Sequence, residues 1–248
     1  MGEILIEVCV DSVISACAAE RGGAGRLELC SDLLEGGVTP SSGLIELVRK
    51  KTEIGLHVMV RPRGGDFCYD EEEFEVMQRD IVNAKQLGAD GVVLGILDID
   101  GRVDVDRTRR LIELARPLTV TFHRAFDMSA DLFRALEDVC AAGADRILTS
   151  GGQQTSVVGR DVIARLVAAA RGKVIIMPGS GINEQNAAGL IQETGAREIH
   201  VGLRSSNPSP MGHQNPQVSM GAAKGGEYVR FRVLEESVRS LRRAIANS

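Results

Sequence analysis

The chain has 248 residues, 44% of them hydrophobic, and a net charge of −5. That length suits one large domain, and an α/β barrel needs about 250 residues. An acidic balance with scattered basic residues and no Trp excludes a nucleic-acid surface, and no apolar run reaches the roughly 18 residues of a membrane span.

Eight apolar, β-rich segments follow one another: Ile4–Val10, Arg26–Cys30, Leu56–Arg61, Gly91–Leu94, Leu118–His123, Arg146–Thr149, Lys173–Met177 and Glu198–Val201. Segments of helical periodicity lie between them, with Asp11-Ser12 capping the first helix and Asp70, ahead of three glutamates, opening the third. Asp127 or Ser129 is expected to open the fifth helix, Asn183 the seventh, and a last helix is expected from Tyr228 to about Ala246. Strands alternating with helices imply a parallel sheet, and eight such units imply a single-domain (β/α)8 TIM-barrel-like fold over 1–248. Gly23, Gly88, Gly143 and Gly195, each followed by Ala, stand before strands two, four, six and eight, where a helix must stop in the left-handed conformation. The five cysteines match no zinc spacing and the N-terminus has no basic, apolar leader, so a reducing, cytoplasmic setting with free thiols is expected.

Working groups of barrels come from the C-terminal ends of the strands. Strands one and two both end in Glu-x-Cys, Glu7-Val8-Cys9 and Glu28-Leu29-Cys30, which puts each glutamate and cysteine on one face. A buried Glu7 needs a partner, and Arg61 or Arg63 is expected to supply it. The third strand runs into Arg61-Pro62-Arg63-Gly64-Gly65-Asp66, an anion-handling cluster at a strand end. Strand five ends in His123-Arg124, where a histidine can act as general acid or base. Gly179-Ser180-Gly181 after strand seven and Gly202 with Arg204 after strand eight have the composition of a backbone phosphate cradle. Four aspartates between Asp98 and Asp106 read as a solvated turn and helix start, since an EF-hand's closing glutamate is missing. The stretch 204–226 is expected to be an irregular loop, and its Met211, His213 and Met220 to be incidental.

The Glu-x-Cys triplets, Gly36-Gly37, the Val58–Phe67 string, Thr121–Asp127, Leu148–Gly152 and Met177–Ile182 together resemble the CutC family, in order and over nearly the whole chain. That resemblance implies a barrel-like fold, a cytosolic homo-oligomer (dimer or tetramer) and Cu(I) binding through cysteine. By position the matching thiols are Cys9 and Cys30. A second reading stays open beside it. A barrel enzyme acting on a small anionic or phosphorylated substrate would use Glu7, Glu28 and His123 for proton transfer, with Arg61, Arg63, Asp66 and Arg124 around the charge. It would hold the anion with Gly179, Ser180, Gly181, Gly202 and Arg204.

Overall fold

In the strands that hold Ile6, Leu27, Leu56, Val120 and Ile199, apolar residues alternate with polar or soft ones, and the two sets face different surroundings. Ile6, Val8 and Val10, Leu27 and Leu29, Leu56 and Val58, and Val120 and Phe122 belong to the main apolar core, packed against the surrounding helices. The residues between them, beginning with Glu7, Arg26, Glu28 and His57, turn inward and are buried as well. A parallel sheet hides both faces, so its inward polar groups must find partners inside.

A computed structural model describes residues 4–220 and 226–247. Its strands are β1 (Leu5–Val10), β2 (Arg26–Leu29), β3 (Gly55–Met59), β4 (Gly91–Leu94), β5 (Thr119–Phe122), β6 (Arg146–Thr149), β7 (Ile175–Pro178) and β8 (Glu198–Val201). They form one parallel sheet in the order β7-β6-β5-β4-β3-β2-β1-β8, and a parallel bridge between Gly179 and His200 joins its ends. The expected eight-stranded barrel is therefore present. The helices are α1 (Val13–Gly22), α2 (Ser42–Lys51), α3 (Glu71–Gln86), α4 (Val105–Ala115), α5 (Leu132–Ala142), α6 (Arg160–Ala170), α7 (Ala187–Thr194) and α8 (Glu235–Ala246).

Helix starts follow local chemistry where a side chain can reach the free N–H groups. Asp70 and Glu73 form a full capping box on α3, which buries Phe74, Met77, Ile81 and Ala84 along one stripe. Ser12 caps α1. Asp98 folds a turn by accepting from the N–H groups of Asp100 and Arg102, and Asp104 caps α4, the solvated turn and helix start expected there.

Four expectations need correction. Neither Asp127 nor Ser129 opens α5. A 3-10 turn over Arg124–Met128 intervenes, and Asp131 is the cap. Asp127 is drawn instead to the end of β6, where its carboxylate accepts from the N–H groups of Ser150 and Gly152 and from the Thr149 hydroxyl. Asn183 does not open α7. It forms a turn with Gln185, and the helix starts at Ala187. The last helix does not begin at Tyr228, because Val229-Arg230-Phe231-Arg232-Val233 alternates with period two and forms a strand, β10. It pairs antiparallel with β9 (Arg204–Pro208), so the segment 204–226 is not irregular throughout. Residues 221–225 of that segment lie outside the described residues.

The four glycines before alternate strands all have positive φ, 96° at Gly23, 82° at Gly88, 93° at Gly143 and 71° at Gly195. At Gly143 a Cβ would meet nothing within 4 Å, so conformation alone fixes the residue. Gly143→Ala is expected to cost about 1 kcal/mol by urea unfolding with an intact fold. No measurable loss would show that α5 can end in another geometry.

Candidate functional site

Register decides which inward groups meet. Glu7 lies beside Arg26 on β2 and His200 on β8, while Cys9 lies beside Glu28. The Glu7 carboxylate accepts from Arg26 Nε at 2.5 Å and pairs with His200 Nδ1 at 2.8 Å. Arg26 reaches on to Glu198 at 2.5 Å, and Glu198 is also held by Arg146 at 2.6 Å. The partner expected for Glu7, Arg61 or Arg63, is thus replaced by Arg26, two residues before Glu28 on the neighbouring strand. A side chain one strand away reaches Glu7 without crossing the barrel.

These contacts set the charges. Burial works against ionisation of Glu7, but the His200 bond and the Arg26 charge outweigh it and hold the carboxyl well below its usual range. Burial also works against a charged His200, yet Glu28, Cys9 and Glu7 raise it well above its ordinary value, so the imidazolium is the resting form. Glu28 moves upward, chiefly through burial. His57 is lowered to about 4 by burial, and its Nε2 lies 3.0 Å from the Thr119 hydroxyl.

Above this charged layer the mouth opens into a cavity of about 310 Å³. Cys9, Glu28, His200 and Met59 are at its base, and His123, Arg61, Arg124, Arg204, Ser180, Gly181 and Gly202 contribute to its walls. The Cys9 and Cys30 sulfurs are 3.5 Å apart and buried. They share a small apolar cluster with Met59, Val93 and Leu33. Burial and the neighbouring Cys30 and Glu28 push the Cys9 thiol well above its ordinary value, so it rests protonated. Either Glu28 joins both thiols, or Glu7 and His200, in a group of ligand atoms within 4.8 Å of one another.

His123 follows β5 at the opposite wall. Its Nδ1 accepts from the Ala125 N–H at 3.2 Å, so the proton sits on Nε2, and that buried donor has no protein acceptor. Burial, reinforced by the Arg61 charge, lowers His123 to about 3. The ring packs tilted against Phe67 at 4.9 Å, which in turn carries the Arg61 guanidinium at 5.0 Å. Arg61 binds the carbonyls of Glu35, Gly37 and Gly65, which folds the Gly36-Gly37 loop over the mouth.

The structure brings together Glu7, Cys9, Glu28, Cys30, Arg61, His123, Arg124, Ser180, Gly181, Gly202 and Arg204. Arg63 and Asp66 do not join them. β3 already ends at Met59, and Arg63, after Pro62, turns outward to bind Asp66 in the same loop and Glu73 on α3. Gly179 bridges β7 to β8 rather than facing a ligand. Sequence reading missed His200, Arg26 and Met59. The signal was present: Glu198-x-His200 repeats the inward polar pair of Glu7-x-Cys9 on the other neighbour of β1.

Arg26→Met is expected to destabilise by about 3–5 kcal/mol in urea unfolding, since Glu7 and Glu198 lose a buried partner together. A loss under about 1 kcal/mol would mean that water or a rearranged Arg146 replaces it. His123 gives a pH signature. Its folded value is lowered from 6.5 to about 3, so the unfolded chain binds more protons below pH 6.5 and stability falls as pH drops through that window. His123→Leu should reduce the slope of stability against pH there by about 1.4 kcal/mol per pH unit. An unchanged slope would show His123 charged in the folded state.

Comparison with known proteins fits this geometry. Residues 4–205 match the model of the CutC family. The chain is 50% identical to the mouse (Mus musculus) copper homeostasis protein cutC homolog over 219 residues, 88% of this chain and 80% of that one. A family protein CutC of Chromobacterium violaceum is 46% identical over 241 residues, 97% and 98% of the two chains. Among solved structures, the putative copper homeostasis protein CutC from Streptococcus agalactiae is 33% identical, with a TM-score of 0.75 over 80% of this chain and 98% of that one. Thiamine phosphate pyrophosphorylase from Pyrococcus furiosus, 17% identical over 98% and 96% of the chains with a TM-score of 0.59, shares the fold alone. Matched through all eight barrel strands, the chain belongs to the CutC copper homeostasis family.

Proposed function

We propose that the protein binds Cu(I) through the thiolates of Cys9 and Cys30, in a reducing cytosolic compartment. The approach of the two sulfurs to 3.5 Å carries this reading. Cuprous ion favours soft sulfur donors and low coordination. With metal–sulfur bonds near the 2.3 Å of zinc thiolates, a linear unit spans about 4.6 Å, so the thiols need only part by about an ångström. Met59 offers a soft thioether in the same apolar cluster, which also shields the thiols from solvent. The nearby guanidinium of Arg26 is matched by Glu7 and Glu198, which limits its repulsion of a cation.

Binding must displace thiol protons, because Cys9 rests in its neutral form. Uptake should therefore release protons and tighten as pH rises. Anaerobic Cu(I) titration against a competing chelator tests the site on the wild type and on the Cys9→Ser, Cys30→Ser double variant. One Cu(I) per chain is expected in the wild type, and its loss in a double variant whose thermal unfolding stays cooperative. Equal uptake by both would remove the site.

A further inference from the structure

The wall facing the thiols holds features that a cuprous site does not use. His123 is 4% exposed, and its Nε2–H is a buried donor without an acceptor. A buried donor left unpaired is costly, so an orphan on a residue that lines a cavity is a place for an acceptor from a bound molecule. Glu28 Oε1, at the base of the same cavity, also has no partner. The walls add the guanidinium groups of Arg61, held by three backbone carbonyls, Arg124, paired with Asp127 at 2.8 Å, and Arg204. Arg204 pairs with Asp11 at 3.9 Å and lies over the Phe231 ring at the edge of the cavity.

We propose that this cavity binds a small carboxylate, its head group accepting the His123 Nε2 proton and lying in the field of Arg61, Arg124 and Arg204. The remaining lining suits a short carbon skeleton, for Met59, Phe67, Leu148 and Ile182 are apolar. The cavity, about 310 Å³, has room for a small molecule of this kind.

A carboxylate fits better than a phosphate. Barrel phosphate sites join the loops after strands seven and eight to a helix N-terminus. Here α7 begins only at Ala187, behind the Asn183 turn, and β8 leads into the β9–β10 hairpin instead of a helix. Among the described residues no helix N-terminus directly after β7 or β8 therefore points at the mouth, and the positive charge available there comes from side chains.

Calorimetric titration of metal-free protein with malonate, malonamide and inorganic phosphate tests the proposal, and its result does not depend on whether the thiols take copper. Malonate is expected to bind at about 1 mM or tighter, with malonamide and phosphate at least about tenfold weaker. His123→Leu should weaken malonate by about tenfold or more, and Arg204→Gln by about threefold or more. Should His123→Leu fail to fold, Arg204→Gln decides alone, because its side chain sits on the rim. No heat from malonate up to about 10 mM, equal affinity for malonamide, tighter binding of phosphate, or wild-type affinity in the variants would each overturn the proposal.

Discussion

The chain of ion pairs from His200 through Glu7, Arg26 and Glu198 to Arg146 is the constraint around which the barrel is arranged. An isolated charge in a dry interior is prohibitive, and replacing such a network by well-packed apolar residues is often neutral or stabilising. What the network supplies is position. Each member is tied to a group on another strand, so β1, β2, β6 and β8 are held at one relative height. Cys9 and Glu28, the next inward positions on β1 and β2, inherit that placement.

The mouth divides into two chemistries. On one side Cys9, Cys30 and Met59 offer soft sulfur in an apolar setting. On the other, His123 and three arginines offer hydrogen-bond donors and positive charge. Glu28 and His200 stand between them; burial raises Glu28, while Glu28, Cys9 and Glu7 together raise His200 against its burial. A cation and an anion can therefore be served by one opening without sharing ligands. The short loops assist: Arg61 secures the Gly36-Gly37 turn, and Asp127 ties the end of β5 to that of β6. Those two arrangements use charged residues to fix backbone at the rim.

Reading from residues to site succeeded where the signal was local. The Glu-x-Cys repeat exposed four inward groups because period two is a property of a strand regardless of its neighbours. Asp70 with Glu73 marked a helix start for the same reason. It failed where the partner came from elsewhere. Asp127 looked like a cap, but acceptor-hungry N–H groups at the end of β6 compete for it and win. A helix expected from Tyr228 starts only at Glu235, because Val229–Val233 pairs with Arg204–Pro208 as a strand. Arg61 and Arg63 have the spacing of one strand face, but β3 ends at Met59 and the spacing no longer aligns them.

The sequence by itself determined the eight-fold strand–helix order, the left-handed helix ends at Gly23, Gly88, Gly143 and Gly195, and the two thiols at neighbouring strand ends. These follow from backbone conformation and residue periodicity, which act over a few residues. Tertiary structure alone decided that Arg26 and not Arg61 neutralises Glu7, that His200 completes the base of the site, and that Cys9 and Cys30 come within contact. Those outcomes depend on strand register and barrel closure, which bring together residues as far apart as Glu7 and His200 and which no local pattern encodes.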